Sequence, residues 1–178
     1  AEKFISSDEL VWNSTGRAVE SIRRASCCGV VIEESVEVNP DPEKAGEVLA
    51  RIIIDKKMPL NGWNSEAVEY MNRLQWLSET FPEKALPVFG DDEKMLIVYE
   101  LCKGQCRYDA VKDKSVIGII KGLLSYDQQR MIESLAPSHI INPAGKKLPV
   151  TYRAGKKPVI RARIQELFDF KTTPRIAD

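Results

Sequence analysis

His139-Ile-Ile-Asn-Pro-Ala-Gly-Lys-Lys-Leu-Pro-Val-Thr-Tyr-Arg-Ala-Gly-Lys-Lys-Pro-Val-Ile-Arg-Ala-Arg-Ile164 is the stretch on which the reading of the fold turns. Leu148, Val150 and Tyr152 alternate in it with Pro149, Thr151 and Arg153. Ile160, Ala162 and Ile164 alternate with Arg161 and Arg163. A period of two residues belongs to a strand with one buried face, so the chain runs as strands here, with a turn at residues 154–158 between them. Partners for these strands stand at the other end of the chain. Glu9–Asn13, Ala18–Ser26 and Val30–Val38 are rich in Val and Ile and are separated by turn signals at residues 13–16 and near Gly29. A short helix at residues 165–170 is expected to carry Leu167 and Phe168 toward the core.

Everything between the two sets of strands reads as helix. Asp41 caps a helix whose first position is Pro42, where the missing N–H costs nothing, and Val48, Leu49, Ile52 and Ile53 repeat at helical spacing. Asn64 caps a second helix with Ala67, Tyr70, Met71, Leu74 and Leu77 inward, and Trp63 and Val68 are placed as a hydrophobic staple. A third runs from about Asp92 to Lys103 and ends at Gly104. A fourth covers residues 115–124, and a fifth starts at Ser125, with Gln128 completing a capping box and Pro137 beyond its end. The fold class is therefore α+β: a single sheet or small β-barrel built from N-terminal strands (residues 1–40) and C-terminal strands with a short helix (138–178), interrupted by a helical segment (41–137). Either set of strands alone is too small to be stable by itself.

With 26 basic and 26 acidic residues the formal net charge is zero, but the charges are segregated. From Ser138 to Gln165 the sequence carries Lys146, Lys147, Arg153, Lys156, Lys157, Arg161 and Arg163 and no acid, whereas Glu66, Glu69, Glu79, Asp91, Asp92 and Glu93 crowd the middle. The late basic segment is the plausible surface for a polyanion. Among the four cysteines, Cys27 and Cys28 are adjacent, while Cys102 and Cys106 would share a helix face. With one histidine, His139, and no C-x-x-C spacing, they read as buried thiols of a reducing cytoplasm rather than a metal site. His139 reads as a structural residue at a helix-to-strand junction. No apolar run spans a bilayer, and no signal-peptide pattern opens the chain. Ala1 in place of Met, and an uncapped Thr173–Asp178 segment, suggest cut ends.

Catalytic motifs are missing. Neither Gly145-Lys146 nor Gly155-Lys156 has the earlier glycine or the following Ser/Thr of a phosphate-cradling loop, and no nucleophile elbow is present. No catalytic or metal-binding residue is assigned. The binding candidates are cationic. Arg161 and Arg163, two apart on a strand, would project from one face roughly 6–7 Å from each other and pair phosphate oxygens. Lys146–Lys147 and Lys156–Lys157 flank the strand 148–153 at opposite ends, roughly 20 Å apart, and need not form one patch. Tyr152 offers a ring for base stacking, but its place in the apolar series makes it a core residue.

Gly122-Leu-Leu-Ser-Tyr-Asp-Gln-Gln-Arg130, then Leu135-Ala-Pro-Ser-His139 and Asn142-Pro-Ala-Gly145, form an ordered series of short motifs. With Val150-Thr-Tyr152, Lys157-Pro-Val159, Ala162-Arg-Ile-Gln-Glu-Leu-Phe168 and Thr173-Pro-Arg-Ile-Ala177, the series resembles the C-terminal region of bacterial HrpB-type DEAH-box ATP-dependent RNA helicases. The earlier Leu10-Val-Trp-Asn13 and Leu60-Asn-Gly-Trp63 are more loosely similar to the segment that precedes it. The resemblance implies an OB-like β-barrel with extensions that contact RNA, and a position beyond the two RecA-like motor domains. ATP and magnesium would belong to those domains, leaving no cofactor in this fragment. The residues it assigns to an RNA surface are Arg153, Lys157, Arg161, Arg163 and Gln165, beside Lys146, Lys147 and Lys156 from charge. Asp169–Phe170 departs from the family's glycine after Leu-Phe. The expected partners are single-stranded RNA and the helicase's own RecA-like domains, in the cytoplasm, without a membrane. The competing expectation is a protein-docking or regulatory module that packs on the helicase core or a partner, and a self-standing enzyme is the remote one.

Overall fold

A computed structural model of the chain describes residues 4–27, 30–37, 40–168, 170–172 and 176. Cys28, the turn near Gly29, Val38, Asp169 and residues 173–175 and 177, on which some of the expectations above fall, lie outside the described residues. The chain forms two compact units, Ala1–Gly62 with Lys94–Val116 and Trp63–Glu93 with Ile117–Asp178.

The first unit starts with an antiparallel hairpin of β1 (Phe4–Asn13) and β2 (Ala18–Cys27), in register from Asn13 opposite Ala18 to Phe4 opposite Cys27. The Asn13 side-chain oxygen accepts the N–H groups of Thr15 and Gly16, each at 3.0 Å, which folds the connecting turn. β3 (Val30–Glu37) pairs with the other edge of β2 only as far as Ser21. Beyond that point the edge is taken up by residues 106–108. The Val19 N–H donates to the Cys106 carbonyl at 2.7 Å, and the Tyr108 N–H donates to the Arg17 carbonyl at 2.9 Å.

Helix α1 (Pro42–Asp55) covers this sheet, and Val19, Ala45, Leu49, Ala50 and Ile53 form a core with Val98 and Cys102 of α3 (Asp91–Cys102). Asp41 caps α1 as expected, accepting the Glu43 N–H at 3.0 Å. The helix carries Gly46 where a Cβ would run into the Cys102 carbonyl, so the glycine sets how closely α1 approaches the end of α3. Because α3 stops at Cys102, Cys106 is not on that helix. The expected shared face of the two cysteines does not form, and Cys106 lies instead in the segment bonded to Val19.

In the second unit, α2 (Ser65–Thr80) is capped by Asn64, whose side chain accepts the Ala67 N–H at 3.0 Å. It packs on α5 (Tyr126–Leu135), which follows α4 (Val116–Gly122). The capping box at α5 forms as read: Gln128 N–H to Ser125 Oγ at 3.2 Å, Ser125 N–H to Gln128 Oε1 at 2.9 Å. Val68 is 47% exposed, so the α2 staple does not bury it. The chain then returns as β4 (His139–Ile141), β5 (Lys147–Thr151) and β6 (Val159–Ile160), all antiparallel.

The single barrel expected from the strands of both ends is not what forms. Among the described residues there are two open three-stranded sheets, β1-β2-β3 and β4-β5-β6. Strands alone were too few for two sheets, but helices supply the missing layer. α1 lies on β1 and β2, and Trp76 of α2 meets the ring of Tyr152, just past β5, at a centroid distance of 5.2 Å.

Candidate nucleic-acid interface

The parity of β5 creates the candidate site. Leu148, Val150 and Tyr152 are buried, so Thr151 and Arg153 fall on the outward side. The Tyr152 hydroxyl donates to the Pro137 carbonyl at 2.8 Å, and burial pushes it up to about 12; this ring belongs to the core. β6 pairs Val159 with Thr151 and so turns residues 153–158 back over the same face. Gly155 adopts φ 63° in that turn, the left-handed region that suits glycine. Its N–H donates to Glu79 Oε2 at 2.7 Å, which ties the loop to the end of α2.

The turn gathers Arg153, Lys156, Lys157 and Arg161 around a small cleft of about 90 Å³ that Thr151 and Val159 complete. No acidic side chain lines it, and none of the four cations forms an ion pair with a described residue. All four are exposed. Lys156 and Lys157 also border a second cleft of about 320 Å³ beside Trp76, Glu79, Thr80 and Pro158. Directed cations with no carboxylate among them can grip a phosphate group through charge-assisted hydrogen bonds.

The remaining candidates stand elsewhere. Lys146 and Lys147 are at the far end of β5, in and beside the turn where Gly145 has φ 80°. Lys146 is ion-paired with Glu166, whose carboxyl is held below its ordinary value first by that lysine. Arg163 does not share a strand face with Arg161. β6 ends at Ile160, and the Glu166 carboxylate accepts the Arg163 N–H at 2.9 Å, which starts α6 (Ile164–Leu167) there. Gln165 lies exposed within α6, and Leu167 and Phe168 are 43% and 72% exposed rather than turned into the core. His139 begins β4 and its Nδ1 lies 3.1 Å from Ser138 Oγ, a local structural contact at the junction.

Sequence reasoning missed the polar residues that brace this unit. Arg73, 5% exposed, donates from Nε to the Ala136 carbonyl at 2.6 Å and from Nη2 to Glu133 at 2.7 Å. Asn142, also 5% exposed, accepts the Lys146 N–H at 2.7 Å and donates to the Glu166 carbonyl at 3.1 Å. Gly145-Lys146 and Gly155-Lys156 lie in or beside turns and open no helix.

Residues 97–178 match the family model described as ATP-dependent helicase C-terminal. The Escherichia coli (strain K12) protein named ATP-dependent RNA helicase HrpB is 24% identical over 176 residues, which is 96% of this chain and 22% of that relative. Residues 97–178 are thus similar to a helicase C-terminal region, and the chain along nearly its whole length is similar to HrpB. Two solved HrpB structures share the fold: E. coli DExH-box NTPase HrpB and Escherichia coli DEAH/RHA helicase HrpB. Each matches with TM-score 0.71 at 22% identity over 98% of this chain, and over 22% and 23% of those chains respectively. The chain thus spans about a fifth of the length of the HrpB proteins it matches.

Proposed function

We propose that this region is a nucleic-acid-contacting accessory part of an ATP-dependent RNA helicase, acting beside RecA-like motor domains that bind ATP and magnesium. The observation that carries the reading is the meeting of Arg153, Lys156, Lys157 and Arg161 at one cleft with no acid in its lining. Single-stranded RNA suits such a grip, because its phosphates are accessible from all sides and its binding needs no base readout. Lys147, Arg163 and Gln165 would extend the contact, and Lys146 would join it only by leaving Glu166. The region works in the cytoplasm and off the membrane on this reading; no helix among the described residues is long and apolar enough to cross one.

The test is fluorescence anisotropy with a labelled single-stranded RNA at two salt concentrations. Arg153→Glu with Arg161→Glu should weaken binding at least tenfold at low salt, and unchanged affinity would sink the proposal. A second reading, docking on the helicase core or another protein, draws on the exposed apolar side chains of Ile164, Leu167 and Phe168. If the charge-reversed chain still binds isolated motor domains while the wild type ignores RNA, that reading takes over.

A further inference from the structure

Tyr126 opens α5 with its side chain 73% exposed, far more than an aromatic ring placed for packing. Its backbone is held by the Ser125–Gln128 capping box, so the residue stands at a defined helix start rather than on a loose end. One turn on, the Arg130 guanidinium carbon lies 5.8 Å from its centroid. The cleft below, of about 750 Å³, is lined also by Tyr70, Lys121, Asp127, Gln129 and Glu133, the last ion-paired with Arg73.

Its walls are braced. Gln129 Nε2 donates to the Lys121 carbonyl at 2.8 Å and to the Leu124 carbonyl at 3.2 Å, which locks the end of α4 against α5. Lys121 Nζ lies 5.2 Å from the Tyr70 ring, and neither Lys121 nor Arg130 is ion-paired with a described residue. The Tyr70 side chain is 3% exposed, and its hydroxyl has no hydrogen-bond partner among the described residues. An Arg–Tyr pair one turn apart also steadies a helix, but it gives no reason for an open cleft with two unpaired cations at its rim.

We propose that this cleft is a base-stacking subsite: the Tyr126 ring takes one unstacked base of a single-stranded RNA, with Lys121 and Arg130 beside the flanking phosphates. The Asp127 carboxylate and the Gln129 amide oxygen, both acceptors, would meet donors on the base edge. The subsite rests on the RNA-contacting reading above, but uses different residues and a different force. Stacking tolerates any base, and it disappears when the base is removed.

The experiment compares the full chain with Tyr126→Ala, Tyr126→Phe and the Arg153→Glu, Arg161→Glu variant. Each is titrated with a single-stranded RNA of about 12 nucleotides and with an abasic strand of equal length. Tyr126→Ala should lose about 10- to 100-fold in affinity for the base-bearing strand and almost nothing for the abasic one. Tyr126→Phe should keep wild-type affinity for both, which assigns the contact to the ring rather than to the hydroxyl. Equal binding of the base-bearing strand by wild type and Tyr126→Ala overturns the subsite. If the charge-reversed variant alone loses affinity, the basic cleft stands and the subsite falls; if Tyr126→Ala alone does, the reverse holds. Binding by none of the proteins, wild type included, overturns both.

Discussion

Two buried groups link single residues to the stability of the whole chain. The Cys102 thiol, in the core between α1 and α3, is pushed by burial from 9.0 to about 11, partly opposed by Lys114. Burial likewise moves the Tyr152 phenol from 10.0 to about 12. Both groups hold their proton more tightly in the folded chain than in the unfolded one. Their contribution is therefore fully present below the unfolded value and lost as pH rises through the folded one. Unfolding free energy, measured in urea, should hold level from neutrality to about pH 9 and fall from there to about pH 12. Cys102→Ala should remove the earlier part of that fall, and Tyr152→Phe the later part at a cost of about 1 kcal/mol near neutrality, from the bond to Pro137. A profile that both variants leave unchanged would mean that neither group titrates with folding. At this scale the sequence was partly legible. The alternation around Val150 placed Tyr152 in the core, because strand parity is local. Arg73 and Asn142 gave no local signal. Arg73 stands at a position of α2 that helical spacing would assign to either face, and partners about 60 residues away, the Ala136 carbonyl and the Glu133 carboxylate, make its burial sensible.

Among the elements, helix termini were the most legible features. Asp41, Asn64 and Ser125 each cap the helix expected of them, since a cap is decided within four residues. Strand pairing was not legible, because which strands share a sheet depends on what covers them. Three strands at one end and two at the other suggested one barrel, yet α1 and α2 each supply a covering layer and two separate sheets form. The same holds at the end of β6. An alternation that continues through Arg163 read as strand, but the Glu166 carboxylate captures the Arg163 N–H and begins a helix. Close helix approach is likewise invisible in a propensity scale, and Gly46 tests this. In an isolated helix Gly→Ala is stabilising by roughly 1 kcal/mol. Here a Cβ would collide with the Cys102 carbonyl, a backbone atom that cannot swing aside. Gly46→Ala should therefore destabilise the chain by roughly 1–3 kcal/mol in urea unfolding. A gain in stability would show that α1 is free to move away from α3.

For the molecule as a whole, a net charge of zero gives no long-range pull on a polyanion, and at physiological salt charges are screened beyond about 8 Å. Binding must then depend on the few cations that touch phosphate, and these can be counted. For a single strand, the slope of log affinity against log salt is about −0.7 for each phosphate neutralised. If Arg153, Lys156, Lys157 and Arg161 each neutralise one, they should contribute about −3 to the slope. Replacing Arg153 and Arg161 by Gln should then make it shallower by about 1.4. Lys146 provides the internal control. It already spends its charge on Glu166, so Lys146→Gln should leave the slope where it was, although Lys146 is exposed like the others. A slope that falls equally for every lysine removed, Lys146 included, would mean that the strand samples a diffuse basic surface, and that the turn between β5 and β6 has no special hold on it.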